Sequence, residues 1–308
     1  MVISFLHVFK RAVSIWARHW KKLWHDSDMK ATPNAQSPAA RSYLFVPGDR
    51  PERFDKAWAS AADEVILDLE DSVAHDHKIT ARSAVANWLD ASRPVWIRIN
   101  ATDTEWFIHD LELAERPGVV GLLLPKAEQL PASLTKLCAK RSLNLLPIIE
   151  TAKGMHAVEY LATAPQVVRL AFGALDFQVD LDIIGDDDAL LYFRSCLVLA
   201  SRLARLPAPV DGVTVSIDDA SVLRADTERS RRLGFGAKLC IHPNQIAEVH
   251  CAFSPSADER DWAARVLAAM QASGGAVASL NGKMIDRPVW QKAMRISNAP
   301  MADRRLRP

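Results

Sequence analysis

Two carboxylates in this chain stand where chemistry could be done. In Leu146-Pro147-Ile148-Ile149-Glu150-Thr151-Ala152-Lys153-Gly154 and in Ala171-Phe172-Gly173-Ala174-Leu175-Asp176-Phe177, an apolar run with strand character leads into a carboxylate set among glycine and small residues. Each motif offers a hard oxygen ligand at the C-terminal end of a strand. Two such ligands from successive parallel strands, with no Cys/His cluster nearby, suit a divalent cation such as Mg²⁺, which takes one or two protein carboxylates and leaves its other positions to water and substrate. The competing reading is that both carboxylates cap the helices that follow them.

Positioning these groups requires a rhythmic α/β chain, and the rhythm is present from Arg41 onward. Short apolar runs recur at 43–46, 65–69, 95–99, 119–124, 145–149, 167–172, 210–214 and 237–241, with helical spacing between them at 81–89, 154–162, 190–203 and 220–233. Eight strands alternating with helices predict a TIM (β/α)₈ barrel. An open Rossmann sheet is the alternative, disfavoured because no G-x-G-x-x-G follows any of the runs and because polar residues end nearly every one. Those ends carry Asp49-Arg50, then Asp68, Glu70 and Asp71, then Arg98 and Asn100, Lys126, Glu150, Asp176 and His242-Pro243. A closed barrel brings all of them to one face, where barrel enzymes hold their active sites.

Composition narrows the function class. The chain has 308 residues, 49% of them hydrophobic, and a formal net charge of +1. That balance gives no global reason to bind nucleic acid or an anionic membrane, so anion recognition must come from individually placed Arg and Lys. Cys138, Cys196, Cys240 and Cys251 have no CxxC spacing and read as reduced, buried thiols of a cytoplasmic protein. Residues 1–40 differ in kind. Trp16, Trp20, Leu23 and Trp24 interleave with Arg18, Lys21 and Lys22 in a basic amphipathic pattern too interrupted to span a membrane, followed by a linker through Pro33 and Pro38. The pattern would lie on a membrane surface if it is native; Met29, just before the linker, is an alternative start that would leave it untranslated.

Several motifs in register resemble the citrate lyase β-subunit-like and malyl-CoA lyase family of the HpcH/HpaI aldolase superfamily. They are Arg41-Ser42-Tyr43-Leu44-Phe45-Val46-Pro47-Gly48-Asp49-Arg50, Leu67-Asp68-Leu69-Glu70-Asp71-Ser72-Val73, Arg98-Ile99-Asn100, Leu124-Pro125-Lys126-Ala127-Glu128, the Glu150 and Asp176 motifs, and Cys240-Ile241-His242-Pro243-Asn244-Gln245-Ile246. The resemblance implies a TIM barrel, Mg²⁺ on Glu150 and Asp176, and reversible carbon–carbon cleavage of a 3-hydroxyacyl thioester into an acyl-CoA and a 2-oxo acid. It implies that Arg98 binds the substrate carboxylate or the developing enolate, against a plain ion pair with Glu70 or Asp71. Glu70 and Asp71 would hold metal-bound waters or orient Arg98, against a structural carboxylate pair. Arg50 and Lys56 match positions that contact the CoA thioester, against ordinary solvated charge. His242, followed by Pro243, stays outside the catalytic set.

Barrel residues 41–253 are expected to be followed by a C-terminal helical lid, 254–308. Ser254-Pro255-Ser256-Ala257-Asp258-Glu259 reads as a helix start, and a Gly274-Gly275 break leads to Asn281-Gly282-Lys283-Met284-Ile285-Asp286. In the family the aspartate of this turn reaches a neighbouring subunit's site, which implies a catalytic role for Asp286 and a homo-oligomer, a trimer. Asn281 departs from the acidic residue common before Gly-Lys-Met. The competing activities are an acyl-carrier-protein-dependent citrate lyase β-subunit and a non-catalytic metal- or CoA-binding barrel.

Overall fold

The computed structural model describes residues 40–273 and 278–299. The basic amphipathic segment with most of its linker, and the Gly274-Gly275 break, lie outside the described residues. Two compact units make up the chain, one ending at Ser254 and the other beginning at Pro255.

The first unit is a closed, all-parallel barrel of eight strands in sequence order, β1 pairing with β8. The strands are β1 Ser42–Pro47, β2 Glu64–Asp68, β3 Val95–Arg98, β4 Val119–Leu124, β5 Asn144–Ile149, β6 Ala171–Phe172, β7 Val210–Asp211 and β8 Ala237–Cys240. Between and after them run α1 Phe54–Trp58, α2 Lys78–Trp88, α3 Phe107–Asp110, α4 Ala132–Arg141, α5 Ala152–His156, α6 Val158–Thr163, α7 Ala174–Leu181, α8 Asp187–Leu203, α9 Ala220–Leu233 and α10 Gln245–Phe253. Strands buried on both faces explain the nearly continuous apolar runs. Inward residues such as Tyr43, Ile66, Trp96, Leu123, Leu146, Ile148, Val210 and Leu239 fill the barrel, while a larger cluster that includes Leu67, Ile97, Leu122 and Ile149 packs under the helices. The barrel is a filled core and not a pore.

Two strands are shorter than their apolar runs. Only Ala171–Phe172 of the 167–172 run pairs as a strand, with Val167 making an isolated bridge to Leu145. Between them Arg169 turns its guanidinium to the carbonyls of Ala208 and Ala40, both at 2.6 Å, which fixes the N-terminal end of the barrel. In the 210–214 run the Gly212 carbonyl accepts from the buried Lys238 ammonium at 2.9 Å, and the ladder ends at Asp211.

The second unit packs α11 Ala257–Ala272 and α12 Arg287–Asn298 with a hairpin, β9 Ala278–Leu280 and β10 Lys283–Ile285. Its core is Ala263, Val266, Met270, Ile285, Ala293 and Ile296. The expected helix start is a full capping box: the Ser256 hydroxyl accepts from the Glu259 amide at 3.1 Å and the Glu259 carboxylate from the Ser256 amide at 2.8 Å. Asn281 and Gly282 form the hairpin turn with φ of +51° and +74°, a geometry asparagine tolerates, so its departure from the family pattern leaves the turn intact.

Candidate active site

The carboxylates and cations singled out in the sequence meet at the C-terminal end of the barrel. Asp68 is the last residue of β2 and Arg98 the last of β3, and the strand register sets the two opposite each other. Arg98 makes a fork on Asp68, Nε to Oδ1 and Nη2 to Oδ2, both 2.6 Å. Its Nη1 lies 3.0 Å from Glu70 and 4.0 Å from Asp71. The ion pair with Glu70 expected as a competing role is present, but the principal partner is Asp68. Guanidinium has five N–H groups; the two bonds to Asp68 and the contact with Glu70 use three of them, which leaves two for a ligand.

Lys126 follows β4 in a left-handed conformation, φ +46°. That strained turn lets one residue serve two carboxylates: its amide donates to Glu150 Oε1 at 2.7 Å and its ammonium to Glu70 Oε1 at 2.8 Å. Glu150 stands immediately after β5 and is 2% exposed. Thr151, whose hydroxyl accepts from the Gly154 amide at 3.0 Å, caps α5, so Glu150 does not serve as that cap. Asp176 lies in the first turn of α7, whose cap position is Gly173. Gly173 is required by closeness: a Cβ there would stand 2.1 Å from Glu150 Oε2.

Charge at this face is tightly constrained. Burial, with Asp176 and Glu70 close by, pushes the Glu150 carboxyl up to about 8, against the Lys126 amide and Arg98. Burial also raises Glu70 despite Arg98 and Lys126. Asp68 resists its burial because the Arg98 fork holds it below the usual carboxylate range. Five carboxylates (Asp68, Glu70, Asp71, Glu150, Asp176) face three cations (Lys78, Arg98, Lys126), so five less three leaves two negative charges when all are ionised. Among the described residues no group of three or more His, Cys, Asp or Glu side chains is arranged to hold a metal ion. A two-carboxylate oxygen set with this surplus fits a hard divalent cation that completes its shell with water and substrate.

Among the described residues, Arg50, Lys56 and His242 of the barrel unit make no hydrogen bond or ion pair with this cluster. Arg50 and Lys56 are exposed. Arg50 sits 3.9 Å from Asp49 beside a cavity of about 290 Å³ lined by Asp49, Arg50, Pro51, His77, Thr80 and Ala84. His242 bonds within its own turn, its ring nitrogen receiving the Asn244 amide at 3.2 Å. Asp286, in the second unit, is exposed and caps α12, accepting from the Val289 amide at 3.1 Å. The four cysteines are free, but the expectation that all are buried is corrected: Cys196 is half-buried and Cys251 exposed, on outer faces of helices that the barrel core does not reach. Sequence reasoning missed Lys78 altogether; a lone lysine between His77 and Ile79 at a helix start carries no motif.

A serine, a histidine and an aspartate also meet, at the opposite end of the barrel. Ser42 Oγ lies 2.8 Å and Asp63 Oδ2 3.1 Å from the same His250 Nε2. A hydrolytic triad needs its aspartate on the other ring nitrogen and an accessible hydroxyl; Ser42 is fully buried.

A family model for HpcH/HpaI aldolase/citrate lyase matches residues 41–243, the span that builds this face. The chain belongs to that family. It is accordingly an enzyme of the lyase type, and its barrel is the family's TIM barrel. Within the family it is 38% identical over 264 residues to a citrate lyase subunit beta-like protein of Mycobacterium tuberculosis, covering 83% of this chain and 93% of the relative. It is 35% identical over 262 residues to a (3S)-malyl-CoA thioesterase of Cereibacter sphaeroides, covering 82% and 91%. The crystal structure of CitE from M. tuberculosis in complex with magnesium, acetoacetate and coenzyme A superposes with a TM-score of 0.75 at 35% identity, covering 84% of this chain and 98% of that one.

Proposed function

We propose that this chain reversibly cleaves a 3-hydroxyacyl-CoA of the malyl-CoA, citramalyl-CoA or citryl-CoA type into an acyl-CoA and a 2-oxo acid, with Mg²⁺ on Glu150 and Asp176. The observation that carries the reading is the gathering of five carboxylates against three cations at the barrel face, with Arg98 and Lys126 locked among those carboxylates. Relatives solved with magnesium, coenzyme A and small oxo acids support it. When bound, the cation would act as a Lewis acid on the oxygen at the breaking centre. Arg98 presents its two remaining N–H groups to the oxo-acid carboxylate or the developing enolate, and Asp68 and Glu70 keep that fork from turning away. Glu70 and Asp71 orient Arg98 and Lys126. Arg50, at the cavity beside β1, and the exposed Lys56 hold the polar part of CoA.

Proton transfer at the enolate carbon is assigned to Asp286, by the likeness of the Met284-Ile285-Asp286 turn to the family's, with residues 254–308 serving as a lid for a neighbouring copy in a homotrimer. The uncovered stripe of Tyr192, Leu199 and Leu203 on α8 supports self-association. Among the described residues no helix is long and apolar enough to cross a membrane. Free thiols fit a cytoplasmic location.

The test is to incubate the purified protein with acetyl-CoA or propionyl-CoA and glyoxylate, with Mg²⁺ or with EDTA, and to weigh the products by mass spectrometry. A Mg²⁺-dependent condensation product is expected. Activity only with an acyl-carrier-protein thioester would make the chain a citrate lyase β-subunit, and binding without turnover a non-catalytic barrel.

A further inference from the structure

A third cation lies beneath the cluster. Lys78, the first residue of α2, is 7% exposed. Its ammonium donates to the carbonyls of Leu69 and Glu70, both at 2.8 Å, and lies 5.4 Å from the Trp106 ring centroid. The place is costly: the residue surrenders most of its side-chain freedom, it is desolvated, and a cation at a helix N-terminus opposes the helix dipole. Its contacts explain why a lysine stands there. Leu69 and Glu70 belong to the loop just after β2, where no neighbouring strand serves their carbonyls. The loop is also tied through the Leu69 amide to the Arg98 carbonyl at 2.9 Å, the Glu70 amide to Asp68 Oδ1 at 2.9 Å, the Val73 amide to the Glu70 carbonyl at 2.9 Å and the Asp71 amide to Glu70 Oε2 at 3.0 Å.

From this backbone Glu70 reaches two cations at once, Lys126 at 2.8 Å through Oε1 and Arg98 at 3.0 Å through Oε2. We propose that Lys78 is a positioning residue of the active site: by clamping the carbonyls on either side of the Glu70 Cα, it fixes the angle from which the Glu70 carboxylate holds Arg98 and Lys126. The inference rests on the reading of Arg98 as the group that binds the oxo acid. It assigns Lys78 no contact with substrate.

Two consequences separate positioning from a purely structural role. Lys78→Met keeps the unbranched stem of the side chain and removes the ammonium with both of its bonds. It should raise the KM for the 2-oxo acid about 10- to 100-fold, the cost of misplacing a binding group by ~1 Å, and leave the KM for the acyl-CoA unchanged. In a Glu70→Gln background, Lys78→Met should add nothing further to that KM, because its effect passes through Glu70. Lys78→Arg, which retains two donors, should restore most of the affinity. A structural role alone predicts less active protein with both KM values unchanged and effects that add in the double variant; that result overturns the proposal.

Should the wild-type protein not condense these substrates, the reading of Arg98 fails, and the crystal structure of Lys78→Met decides the positioning claim independently of turnover. A Glu70 carboxylate displaced from Lys126 and Arg98 supports the claim, and one left in place overturns it. If Lys78→Met does not fold, Lys78→Gln takes its place in every measurement. Failure of both to fold would make Lys78 a residue of the fold alone and overturn the proposal.

Discussion

Gly173→Ala isolates the placement of Glu150 from its chemistry. The backbone at Gly173, φ −91° and ψ 75°, lies at negative φ and does not need glycine for its conformation. The added methyl, however, would stand 2.1 Å from Glu150 Oε2 and 2.6 Å from its Cβ, where ordinary contact begins near 3.4 Å. The difference, 3.4 less 2.1, requires a shift of 1.3 Å by the carboxylate or by the β6 to α7 turn that carries Asp176. Glu150 is not free to yield, because its other oxygen is held at 2.7 Å by the Lys126 amide and its stem is buried at the end of β5. Overpacking of this kind costs about 1–3 kcal/mol, so the variant should still fold. Displacement of a ligand by ~1 Å should lower the rate about 100-fold. The assay is the condensation rate titrated with Mg²⁺, beside calorimetric Mg²⁺ binding and a far-ultraviolet circular dichroism spectrum. A folded Gly173→Ala protein with wild-type half-saturation by Mg²⁺ and wild-type rate would refute the argument that Glu150 and Asp176 act as a fixed pair.

Removing the ligands outright should go further: Glu150→Ala and Asp176→Ala should each lose most Mg²⁺ affinity and ~10²–10³ or more in rate with the fold intact, as loss of comparable electrostatic stabilisation does, measured by calorimetry and kinetics at limiting Mg²⁺. Asp286→Asn should keep the fold, since asparagine also caps a helix, yet slow the reaction by roughly 10²–10⁴-fold; mixing it with Glu150→Ala chains should restore some activity if the residue serves a neighbouring copy, and full activity in the single variant would sink the role. Away from the site, buried Asp211 faces Arg194 at 3.2 Å and is also stabilised by Lys238 and Ser230. Burial favours its neutral form, but these partners win and hold its carboxyl below the usual value. Its contribution to stability is therefore complete above the unfolded-state pKa near ~4 and is lost as pH falls through the lower folded value. Asp211→Asn should lower stability by about 3–5 kcal/mol at neutral pH and flatten the loss below about pH 4; an unchanged urea midpoint at pH 7 would contradict this.

The barrel was legible because parallel strands buried on both faces write themselves as apolar runs, and a polar residue at nearly every run's end marks the C-terminal face. The lengths of β6 and β7 were not legible, since Arg169 and the Lys238 contact to Gly212 end those ladders by side-chain bonds made at long range. In the site, Glu150, Asp176, Glu70, Asp71 and Arg98 were readable as a set, and the structure brings them to one face. The principal partner of Arg98 was not: choosing Asp68 over Glu70 depends on the register of β2 against β3, which a one-residue slip would change. The left-handed turn at Lys126 and the buried clamp at Lys78 carry no local signature, because their roles exist only once distant backbone comes within 3 Å.

The relatives pose a sharp alternative, cleavage of a carbon–carbon bond against hydrolysis of the thioester. The most direct measurement is to give the purified protein malyl-CoA or citramalyl-CoA with Mg²⁺ and count the products. The account predicts an acyl-CoA and a 2-oxo acid in equal amounts, no free CoA thiol, and loss of both products with EDTA. Release of free thiol with the intact hydroxy acid would contradict it.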